Sequence, residues 1–155
     1  MTSENDASEE SEQQQLARNM GELLQELRVA QAGVQILFAF LLSVTFTARF
    51  AGASDLQRVT LLVTVLLTTV SATLLIAPVA WHRLYFRQGR RLDIIQWGNR
   101  FALAGLAALA AAMSGAVLLA TSAVVDTAPA IVMACAAFLL FVLLWLVLPL
   151  SKRER

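Results

Sequence analysis

Four apolar runs dominate this chain, at about Val29 to Phe50, Val59 to Val79, Phe101 to Val125 and Ala128 to Leu148. Each comes near the roughly 20 residues that an α-helix needs to cross about 30 Å of hydrocarbon. The expected fold is therefore all-α: an integral membrane four-helix bundle preceded by an N-terminal amphipathic helix. Composition agrees, with 58% hydrophobic and 15% charged residues and a mean hydropathy of +0.67, outside the range of an ordinary soluble domain. The second and fourth runs carry no charge. The first has Gln31 and Gln35 near its start and Arg49 near its end, so it is expected to begin deeper than its apolar residues suggest.

Local chemistry marks the helix starts. Ser54 with Gln57, and Asp93 with Gln96, each place an N-cap acceptor three residues before a side chain able to bond back. Pro129 suits a first helical turn, with Asp126 or Thr127 as cap, which makes the third and fourth spans a tight hairpin. Pro78 and Pro149 fall at span ends, where a kink or a stop is tolerated.

Charge position sets the orientation. Arg83, Arg87, Arg90, Arg91 and Arg100 lie between the second and third runs, Lys152, Arg153 and Arg155 follow the fourth, and Arg18 and Arg28 precede the first. Only Arg49 and Arg58 fall on the other side, a bias of ten against two. The positive-inside rule then places both termini and the basic loop in the cytoplasm of a multi-pass protein of the cell inner membrane. Trp81, Tyr85 and Trp97 flank that loop at interfacial depth, and Trp145 anchors the fourth helix near the same face.

Upstream, Leu16, Met20, Leu23, Leu24, Leu27 and Val34 recur at the spacings of an amphipathic stripe, with Ser11 and Gln14 as a possible cap. Residues 12–28 read as an amphipathic cytoplasmic or interfacial helix, residues 1–11 as a disordered acidic tail, residues 29–150 as the transmembrane domain and residues 151–155 as a basic cytoplasmic tail. Whether the amphipathic helix continues into the first span stays open. No basic start followed by an apolar core suggests a cleavable signal peptide.

Few residues offer chemistry. The third span repeats alanine at Ala104, Ala108, Ala112, Ala116 and Ala120, with Gly105, Ser114 and Gly115 alongside; such a smooth face lets helices approach closely, within the chain or between two copies. Gln31 and Gln35 share a face one turn apart, and Thr64, Thr68 and Ser71 on the second span are their expected partners; those hydroxyls can equally bond to their own helix. Glu22, Glu26 and Arg28 face a loop offering His82, Arg83, Arg87 and Arg90. Pairing there would clamp the first two spans, and the alternative is solvated surface charge. The same arginines suit anionic lipid head groups. His82 has no companion for a haem or zinc site, and Cys135 is alone, which excludes an intrachain disulfide. No carboxylate lies at mid-span, and no phosphate-binding glycine loop or catalytic triad appears. Neither an enzyme nor a cofactor is expected, and no nucleic-acid partner.

The run Leu23-Leu24-Gln25-Glu26-Leu27-Arg28-Val29-Ala30-Gln31, followed by Gly33-Val34-Gln35, carries a likeness together with Ala77-Pro78-Val79-Ala80-Trp81-His82-Arg83, Phe86-Arg87-Gln88-Gly89-Arg90 and Asn99-Arg100. Over about residues 20–125 the chain resembles a family of small bacterial four-helix membrane proteins of unknown function. The resemblance implies the same four-span fold and a cytoplasmic-face signature, and brings no catalytic residue. The expected role is a structural or interaction subunit acting through its cytoplasmic face, by binding itself, a membrane protein partner or anionic lipid. The alternative is an oligomeric transporter or channel lined by Gln31, Gln35 and the threonines.

Overall fold

The computed structural model describes residues 2–85, 91–148 and 151. Its elements are α1 (Thr2–Thr45), a short α2 (Ala48–Ala51), α3 (Asp55–Tyr85), α4 (Arg91–Thr121) and α5 (Thr127–Val142), the last continuing into a π-helical segment at Leu143–Val147. Four stretches are long and apolar enough to cross a membrane: Leu24–Thr45, Asp55–Trp81, Trp97–Thr121 and Thr127–Trp145. The molecule is thus an all-α membrane bundle in which the start of the first span and the end of the fourth lie at one end, the end nearer the termini.

Three boundaries differ from the sequence expectation. The first span ends at Thr45 instead of near Phe50, because the chain turns at Phe46 and Thr47 and re-forms as α2, whose first turn is capped by the Thr47 hydroxyl accepting from the Phe50 N–H. The window accordingly opens at Leu24, earlier than Val29. Residues 2–11, expected without regular structure, and residues 12–28 belong to the same unbroken helix, so neither Ser11 nor the Ala30 to Gly33 region interrupts it. Extending a helix that packing has already nucleated costs far less than starting one, and a stretch rich in Glu, Gln, Ala and Ser has no strong breaker. Asp93 lies inside α4 and not ahead of it, since the helix already includes Arg91.

α4 is the hub. It packs against α3 over the longest interface and against α5 on another side, and α1 lies against α3 and α4. The buried positions of α3 are Leu61, Thr64, Thr68, Ser71, Leu75 and Pro78; those of α4 include Gly98, Ala102, Gly105, Leu109, Ala112 and Leu119. α1 buries Leu27, Val34 and Leu41. Alternating steps of three and four, or seven, keep a contact line straight between helices crossing at a shallow angle. The alanine row does not: four-residue steps drift about 40° each, so Ala104 and Ala120 face outward while Ala112 is fully buried. Leu27, Val34, Leu75, Ala102 and Leu109 form one core cluster, with Trp145 packed on it. Leu41, Leu61 and Leu119 form the other, at the end away from the termini. Pro78 sits buried inside α3, which continues past it.

Two glycines set the α3–α4 distance. A Cβ at Gly105 would lie 2.9 Å from Leu75 Cδ2, and one at Gly115 would run into Thr64 Oγ1 and come within 3.3 Å of Thr64 Cβ. Both are therefore used within the chain. Gly33 has nothing near it. Gly115→Ala should cost about 1–3 kcal/mol through overpacking, whereas Gly33→Ala should gain up to about 1 kcal/mol from helix propensity. Reversible unfolding in mixed micelles checks both, and a Gly115→Ala protein as stable as wild type would contradict the packing described.

Candidate functional site

At the end carrying the termini, Glu22, Glu26 and Arg28 on α1 and Arg83 on α3 are all exposed. Among the described residues no ion pair joins the two helices there. His82 lies in the last turns of α3, and Arg87 and Arg90 lie outside the described residues. The order at this end is aromatic. Trp81 meets Phe101 edge-on at 5.2 Å between ring centroids, and Trp97 lies 6.1 Å from the same ring. The Arg100 guanidinium sits 5.1 Å above the Trp97 ring, a cation–π contact on an exposed rim. These rings belong at the depth where one edge is wet and the other apolar. The sequence identified Trp81 and Trp97 as interfacial but gave no sign that Arg100 would lie over a ring.

Thr64, Thr68 and Ser71 line one buried side of α3, as their spacing predicts. They do not meet the amides of α1. Thr64 Oγ1 donates to the Thr60 carbonyl at 2.6 Å, Thr68 Oγ1 to Thr64 O at 2.7 Å, and Ser71 Oγ crosses to Gly105 O on α4 at 2.8 Å. The reason is steric: the hydroxyl face of α3 is turned toward α4, where Gly115 leaves room for Thr64 and the Gly105 carbonyl is open to Ser71. Gln31 is half-buried and Gln35 exposed, on the flank of α1. Among the described residues no buried side-chain nitrogen or oxygen lacks a partner, and no group of three His, Cys, Asp or Glu could hold a metal ion.

The opposite end holds a polar clasp. The Ser54–Gln57 capping box forms as expected, with Ser54 N–H donating to Gln57 Oε1 at 3.0 Å and Gln57 N–H to Ser54 Oγ at 3.4 Å. That leaves the donor half of the Gln57 amide free, and its Nε2 reaches Ser122 O at 3.2 Å and Ser122 Oγ at 3.3 Å. The Arg49 guanidinium donates to the neighbouring Ala123 carbonyl. Carbonyls at a helix C-terminus have no intrahelical partner, so α2 and the first turn of α3 supply donors for those just after α4. An open cavity of about 420 Å³ lies beneath, walled by Phe40, Val44, Phe50 and Leu119, with Arg49 and Gln57 on its lining. A second, almost wholly apolar groove of about 460 Å³ runs between α4 and α5 past Ser114, Cys135 and Phe138. Sequence reasoning used Arg49 only as a topology marker; the choice of Gln over Glu at position 57 was the available signal.

Residues 9–149 match the model of a family described as Family of unknown function (DUF6328). No curated protein and no solved structure matches the chain.

Two outcomes follow from the hydrogen bonds. Ser71→Ala should lose about 0.6–1.7 kcal/mol, the range for an interhelical bond in lipid, while Thr68→Val, whose hydroxyl only back-bonds to its own helix, should be near neutral; equal losses would refute the distinction. Gln57→Glu keeps the cap acceptor but removes the donor to Ser122, so it should be destabilised by about 1–2 kcal/mol. Thermal unfolding of the purified protein reads all three.

Proposed function

We propose that this chain, which belongs to the family of unknown function matched over residues 9–149, is a small interaction subunit of the cell inner membrane that acts through the face carrying its termini. The observation that carries this reading is Arg100 held over Trp97 at the same end of the bundle as the exposed Arg83. A guanidinium fixed on a ring keeps most of its donors free and has less freedom to lose on binding. The partner surface it fits is anionic, an acidic segment of a membrane protein or lipid head groups. The arginine and lysine bias makes this the cytoplasmic face. The interior supports the same view, because the hydroxyls of Thr64, Thr68 and Ser71 are spent on backbone carbonyls.

A photo-reactive residue at Arg83, in the protein at native abundance, tests the proposal by crosslinking and mass spectrometry. One discrete partner, protein or anionic lipid, should be captured and should be lost in Arg100→Gln with the fold retained. Diffuse labelling that Arg100→Gln leaves unchanged would overturn it.

A further inference from the structure

The position of the first span has a consequence at Gln35. Within the apolar stretch Leu24–Thr45, Gln35 lies seven residues past Arg28, the last charged residue before it, and ten before Thr45, about 10–15 Å inside the hydrocarbon from either side. Its side chain is exposed. Among the described residues its amide makes no hydrogen bond. A primary amide has two donors and an acceptor, and acyl chains offer it neither, so leaving it against lipid is costly.

The residues around it form a line. Ala32, Gln35, Ala39, Leu42 and Phe46 are all exposed and follow one another at steps of three and four. This is a second seam on α1, displaced around the helix from the Leu27, Val34 and Leu41 row that packs inside the bundle. A seam of that period is what a further helix crossing at a shallow angle would fill.

We infer that this seam joins two copies of the chain, with α1 of each lying parallel and Gln35 paired to Gln35 across a two-fold axis. The occupant must present a donor and an acceptor at mid-depth. A second copy inserted the same way does so at the same depth, and an amide pair is self-complementary, carbonyl to NH2 in both directions. Ala32 and Ala39, one step above and below, admit the approach that the pair needs. Toward the termini the line reaches Arg28, which is exposed; two guanidinium groups there separate toward water, so close contact is confined to Ala32–Phe46. A polar residue alone in an apolar seam also fixes register, since a slip by one turn strands both amides. This surface is inside the membrane and separate from the Arg100 rim, so either proposal can fail without the other.

The test uses the full chain in liposomes with Cys135→Ala as background. Ala32→Cys and Ala39→Cys should form disulfide dimers on oxidation, and Phe40→Cys, exposed at the depth of Ala39 but on another side of α1, should not. Gln35→Leu should weaken dimerisation about tenfold, read from the shift in the protein-to-lipid ratio at half-dimer by energy transfer between labelled copies. Gln35→Asn should retain most of it. Because Gln35 is exposed in the single chain, Gln35→Leu is not expected to disturb the fold, and the cysteine pattern requires no change at Gln35. Equal crosslinking at Phe40, a monomer at every density, or dimerisation indifferent to Gln35→Leu would each overturn the inference.

Discussion

The bundle depends on how closely α3 and α4 approach. At Gly115 the space a Cβ would fill is taken by the Thr64 hydroxyl, and at Gly105 by the tip of Leu75. Membrane helices gain nothing from hiding apolar surface from lipid, so van der Waals contact and an occasional hydrogen bond must hold them. Small residues on one helix and short hydroxyl side chains on the other supply both, with Ser71 bonded to the Gly105 carbonyl. The groove beside this pair then receives Leu27, Val34 and Leu41 of α1, and α5 is added on the far side of α4 through Ala130 and Ala134.

A second regularity is the treatment of polar groups along the membrane axis. In the middle, hydroxyls are turned back on their own carbonyls or across to a glycine carbonyl. At the end away from the termini, where two loops meet, Gln57 and Arg49 serve the last carbonyls of α4. At the other end Arg100 is placed over Trp97 and left partly free. Gln35 departs from this economy, which is why it carries an inference about a second chain and the threonines do not.

Much of the architecture was legible in the sequence, for a physical reason. Apolar length selects a spanning helix almost regardless of tertiary detail, and the Ser54–Gln57 box is a local signal realised locally. What was misread depended on relative rotation. The alanine row looks like a face when written out, but it winds around α4. For the α3 hydroxyls the sequence leaves two partners open, the glutamines of α1 and their own helix, and Thr64 and Thr68 take the second while Ser71 crosses to α4. Apolar length alone carries the first span past the turn at Thr47, because Phe46 and Phe50 extend the count; hydropathy does not register a turn flanked by apolar residues. Of the site residues expected at the basic loop, Arg83 is exposed as a solvated charge would be, and Arg87 and Arg90 fall outside the described residues.

α1 is continuous from Thr2 to Thr45, roughly half of it beyond the membrane window. Gly21 and Gly33 leave it unbroken, and it contains no proline. A hydrogen-bonded helix without a hinge behaves as a stiff shaft. A torque applied to the projecting half turns the buried half through nearly the same angle, against the resistance of Leu27, Val34 and Leu41 seated on α3 and α4. The projecting segment and the centre of the bilayer are therefore mechanically one body, so a protein that gripped the first would be felt at the second without any change in the rest of the bundle.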